Sequence, residues 1–128
     1  VMNRFSYDKI LNGVDALLAE TLRLKAIGIS VIEFPTHLNS KKDIFEFVKR
    51  EFPLDPFVEG EKSWDALADS IGGGVEQFRN TGVVVLIKAL AKNQWQLSSA
   101  AIEFIDILFQ IKNEQLPNDM KIYFVNPV

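Results

Sequence analysis

The run Val83-Val84-Val85-Leu86-Ile87 decides the fold. It is apolar at five consecutive positions and mostly β-branched. It does not alternate, so a strand here must be covered on both faces, as in the middle of a parallel sheet. Two other runs read as its neighbours. Ile29-Ser-Val-Ile-Glu-Phe34 is rich in β-branched and aromatic residues and ends at Pro35. Lys121-Ile-Tyr-Phe-Val125 follows a turn at Leu116-Pro-Asn-Asp119.

Helical patterns separate these strands. Ile10, Val14, Leu17, Thr21 and Leu24 recur at helical spacing, widened by Leu11, Leu18 and Leu22. The spacing predicts a helix over Tyr7 to Ala26, with Ser6 as cap and Gly28 as stop. Asn39 or Ser40 caps a second helix, with Asp43 placed to complete a capping box with Ser40. Ile44, Phe45, Val48 and Phe52 mark its buried face, and Pro53 ends it. A loop with two prolines and one glycine follows. Ser63 then caps a short helix from Trp64 to about Ile71, which Gly72-Gly73-Gly74 would terminate. Ser98 or Ser99 opens the last helix, with Ala101, Phe104, Ile105, Leu108 and Ile111 facing inward. The expected order is α, β, α, α, β, α, β. Right-handed crossovers then give an α/β domain built on a three-stranded parallel sheet.

The composition excludes several classes of chemistry. With 128 residues, the chain is one ordinary domain. It has no cysteine, so disulfides, thiolate metal sites and a cysteine nucleophile are ruled out. His37 is the one histidine, which excludes a multi-histidine metal centre. No apolar run is long enough to span a bilayer, and Val1 to Tyr7 lacks the layout of a secretory signal. A reduced, cytoplasmic protein without membrane contact is the expectation.

The charge is unevenly spread. Between Glu51 and Asp69 stand six acids (Glu51, Asp55, Glu59, Glu61, Asp65, Asp69) and one base, Lys62, a net −5 in 19 residues. The other residues carry 11 acids and 13 bases, a net +2. A local acidic surface favours a basic partner and disfavours direct nucleic-acid binding.

No catalytic constellation emerges. The glycine run lacks the spacing of a phosphate loop and follows a helix rather than a strand. His37 has no nucleophile elbow near it. The expected carboxyl ends of the strands carry Pro35-Thr-His37, Lys88 or Leu90, and Asn126-Pro127. Among these only His37 and Lys88 are reactive types, with no partner by spacing. Asp65 and Asp69 lie four apart on a short helix, a like-charge spacing that costs about 0.2–0.5 kcal/mol. Asp65 suits the helix dipole, but Asp69 gains less there. The pair reads either as a solvated helix face or as a face kept acidic for a basic partner.

These residues also carry a resemblance. Glu51-Phe-Pro-Leu-Asp-Pro-Phe57, followed by Ser63-Trp-Asp-Ala-Leu-Ala-Asp69, resembles barstar-like proteins, inhibitors of barnase-type ribonucleases. Trp64-Asp-Ala-Leu67 and Asp69 match the family pattern, Phe57 looks like a loop aromatic, and Gly60 looks like the glycine after it. The resemblance covers about three-quarters of the chain. It implies an N-terminal helical extension over residues 1–28 and a barstar-like domain over residues 29–128, forming one globular unit.

It also implies a non-enzymatic role without cofactor or metal. The partner-binding surface would comprise Asp65, Asp69, Phe57, Glu59, Glu61 and the Ala68 position. The two aspartates would enter the active site of a basic ribonuclease or toxin and mimic phosphate oxygens. Phe57 would exclude water beside them, and Trp64 would anchor the helix to the core. The sequence departs from the family where Ala68 replaces an exposed Trp, Gly74 stands near another aromatic contact, and Val58-Glu59 replaces part of the aromatic loop. Gln110 falls about where a further contact acid is expected. The alternative reading is a protein–protein interaction module or immunity protein for a different, non-barnase partner.

Overall fold

The computed structural model describes residues 7–35, 37–60, 62–77, 82–88 and 97–126. The expected cap Ser6, together with Thr36, Leu90 and Pro127, lies outside the described residues. The chain is α/β: β1 (Lys9–Asn12), α1 (Val14–Ala26), β2 (Ser30–Phe34), α2 (Lys41–Glu51), α3 (Trp64–Glu76), β3 (Val83–Ile87), α4 (Ser99–Glu114) and β4 (Met120–Asn126). The sheet has four strands in the order β1-β4-β3-β2. Every pairing is parallel.

The sheet therefore has four strands, not the expected three. Lys9–Asn12 pairs in register with Tyr123–Asn126 instead of beginning a helix. Gly13, at φ 89°, breaks the chain between strand and helix. Ile10 and Leu11 then serve opposite sheet faces, so consecutive apolar residues suit a strand as well as a helix. Asp8 holds this edge in place. Its backbone N–H donates to the Ile122 carbonyl at 2.9 Å. Its carboxylate accepts from the Ile122 N–H at 2.8 Å and faces Lys112 Nζ at 3.4 Å.

β3 lies between β2 and β4, and all five of its residues are buried. Each such side chain contributes about 1.5–3 kcal/mol through burial. Val83, Val85 and Ile87 face α2, α3 and α4 in the main core, with Phe34, Phe104, Ile122 and Phe124. Val84 and Leu86 face the other way, towards Leu11, Leu24, Tyr123 and Val125, where Ala16 and Leu17 of α1 pack. The β1-to-β2 crossover runs across the sheet one way, and the β2-to-β3-to-β4 path returns the other way. With right-handed crossovers, that reversal sends α1 to one face and the other helices to the opposite face.

The hydroxyls of Ser40, Ser63 and Ser98 cap α2, α3 and α4, accepting from the N–H groups of Asp43, Ala66 and Ala101. α1 is tied to β1 by charge. Arg23 donates to both Glu20 carboxylate oxygens at 3.0 and 2.7 Å, and Lys9 Nζ reaches Oε2 at 3.1 Å. The Arg23 hydrogen bonds, with Lys9 adding to them, outweigh burial and lower the Glu20 pKa from 4.5 to about 2.

A carboxyl group lowered in the folded state stabilises the fold above its unfolded pKa, and that contribution disappears as pH falls towards the folded value. Glu20→Gln should therefore cost up to about 1 kcal/mol near neutral pH, since both basic partners are half-exposed. The difference from the parent should shrink between pH 4.5 and about 2, as read by urea unfolding across that range.

Candidate functional site: an acidic loop and helix face

The glycine run does not end α3. The helix continues through it to Glu76, and Gly72 and Gly74 are buried within it. The reason is contact with the preceding loop. A Cβ on Gly74 would strike the Pro53 carbonyl and the Leu54 nitrogen, and one on Gly73 would strike the Asp55 carbonyl. The missing side chains let the backbone of Pro53 to Asp55 lie directly on the helix. Asp55 N–H donates to the Ser70 carbonyl at 2.9 Å, and Gln77 Nε2 donates to Asp55 Oδ2 at 3.2 Å. The Asp55–Pro56 peptide that follows is cis.

This seating fixes what the loop presents. Val58 turns inward and is buried in the main core. Phe57 turns outward and is 62% exposed. A surface depression beside it is lined by Pro56, Phe57, Glu59, Lys62, Ala66 and Asp69, among others. The structure thus brings Phe57, Glu59 and Asp69 to one place. Asp65 is exposed on the first turn of the same helix. Ala68 is half-buried against the core. Glu61 lies outside the described residues.

Trp64 anchors the start of α3. Its ring lies 5.5 Å from Phe45 and 6.4 Å from Phe104, with Lys41 Nζ 5.5 Å above it. The carboxylates beyond it are thus carried on a capped helix whose other side is core, with Leu67, Ile71 and Val75 fully buried. Such a platform presents carboxylates without further ordering, which lowers the entropic cost of binding a cation-bearing partner. Gln110 is exposed and lines an open depression on α4 with Asp106, Asn113 and Glu114.

The reactive types at the strand ends do not join this surface. Lys88 Nζ lies 2.7 Å from Glu33 Oε1, and His37 is exposed in its turn. Lys88 also borders a small apolar depression with Gly13, Val14, Leu17 and Val125. Among the described residues, no group of three or more His, Asp or Glu side chains is placed to hold a metal ion. No described helix is long and apolar enough to cross a membrane.

Pro56, Lys62, Ala66 and Ser70 also line the depression, although none of them is an expected contact residue. Lys62 is the lone base of the acidic segment, and only the fold sets it beside Phe57 and Asp69. A scan of known protein families finds no match, and no curated protein or solved structure matches the chain significantly.

The glycine contact makes a paired prediction. Gly74→Ala should destabilise the protein by about 1–3 kcal/mol, because backbone atoms must move. Gly72→Ala meets only the flexible end of Gln115, so it should be neutral or stabilising by up to about 1 kcal/mol through helix propensity. Chemical denaturation of the two variants measures the contrast.

Proposed function

We propose that this chain is a non-enzymatic, barstar-like inhibitor that blocks the active site of a basic ribonuclease with its acidic loop and helix. One observation carries the reading: Asp65 and Asp69 are exposed on a core-anchored helix, and exposed Phe57 borders the same depression as Asp69. A nuclease that binds phosphate presents Arg, Lys and His side chains. Carboxylates held on a rigid helix can occupy those groups as phosphate oxygens would. Glu59 adds negative charge at the rim, where it speeds encounter more than it tightens the complex. Phe57 supplies the apolar anchor that shields charged pairs from water.

A second reading is favoured by Ala68. A half-buried methyl offers no aromatic anchor where the inhibitor family has an exposed Trp. Buried aromatic anchors carry much of the energy in such interfaces. The same face would then serve an immunity protein or interaction module for another basic, non-barnase toxin.

Titration into a barnase-type ribonuclease assay separates the two. Inhibition at low salt that weakens at high salt is expected from the first reading. Asp69→Ala should weaken it by more than about 1 kcal/mol while leaving the thermal midpoint nearly unchanged. Inhibition that Asp69→Ala leaves intact would overturn the acidic-face mechanism. Absence of inhibition at micromolar protein would move the assignment to the second reading.

A further inference from the structure

We propose that two copies of this chain associate antiparallel through the outward face of α1, as a symmetric homodimer. Val14, Leu18 and Leu22 are 68, 57 and 61% exposed. They recur at every fourth residue, so they form one stripe, about 12 Å long, on one side of the helix. The neighbouring side of α1 is also apolar: Leu24 is buried, and Ala16 and Leu17 pack on the sheet. The helix is therefore hydrophobic on two sides, one satisfied by the sheet and one facing water.

The residues around the stripe select a second copy of the same helix. In an antiparallel pair with the two-fold axis level with Glu20, Leu18 lies level with Leu22 of the second copy. Val14 lies level with the exposed Ala26 of that copy, and Asp15 with its Lys25. Asp15 and Lys25 are both exposed and flank the stripe, and neither forms an ion pair among the described residues. Antiparallel packing sets opposite charges against each other at both ends. Parallel packing would oppose Asp15 to Asp15 and Lys25 to Lys25. Glu20 and Arg23 are already engaged with each other, and with Lys9, at the side of the helix. Ala19 and Ala26 are small and exposed, which permits axes about 8–10 Å apart. A two-fold arrangement closes on itself and does not propagate. The acidic face on α3 lies across the sheet from α1 and stays free in each copy.

One 13-residue helix per copy makes a small interface, so the dimer is weak. Sedimentation of the purified chain should show mass rising from one copy towards two between about 10 µM and about 1 mM. Leu18→Glu should weaken association at least tenfold without changing the circular dichroism spectrum, because Leu18 is not part of the core. Lys25→Glu should also weaken it, and Asp15→Lys combined with Lys25→Glu should restore it. Three results would overturn the proposal: a monomer at about 1 mM, a dimer indifferent to Leu18→Glu, or a double variant no tighter than Lys25→Glu alone.

Discussion

Neither face of strand β3 meets water. All five of its side chains are buried, so the protein must supply a layer on each side of the sheet. The chain does this by reversing direction once. After β1, α1 crosses one face to reach the far edge at β2. The return through α2, α3 and α4 then covers the other face. The layers are unequal. Three helices share the main core, while among the described residues α1 is the one helix on its face, and it leaves a second apolar stripe pointing outward. The acidic surface and the α1 stripe are thus two consequences of the same buried strand, placed on opposite sides of the molecule.

Within the thicker layer, one contact organises the acidic surface. Gly73 and Gly74 remove the atoms that would hold the Pro53-to-Asp55 backbone away from α3. The loop can then settle far enough for Val58 to enter the core and for Phe57 to emerge beside Asp69. Helix propensity disfavours glycine at an interior position by about 1 kcal/mol relative to alanine. That local cost is offset by a loop held on the helix by backbone packing and by the Asp55 hydrogen bonds.

Much of the main layer was legible in the sequence because its signals are local. The β-branched run Val83–Ile87 announces a two-sided strand, and Ser40, Ser63 and Ser98 mark helix starts through hydroxyls that accept from the third residue on. Burial of Phe104, Ile105 and Leu108 follows from helical spacing. Two features were hidden because their cause lies far along the chain. Lys9–Asn12 is a strand only because β4, more than a hundred residues later, offers an edge to pair with. The glycine run reads locally as a stop, but the loop that needs it closes from twenty residues upstream. The i, i+4 spacing of Asp65 and Asp69 already placed both on one face of the helix. The grouping of Phe57, Lys62 and Asp69 around one depression required the loop to be seated.

In the proposed function, this loop and helix form the surface that meets a basic nuclease. Mapping of amide chemical shifts during titration with a catalytically inactive barnase-type ribonuclease at low salt tests it most directly. The largest changes are expected at Phe57 to Glu59 and at Ser63 to Asp69, with α1 unchanged. Changes confined to α1 or to the β2 edge, with that segment silent, would contradict it.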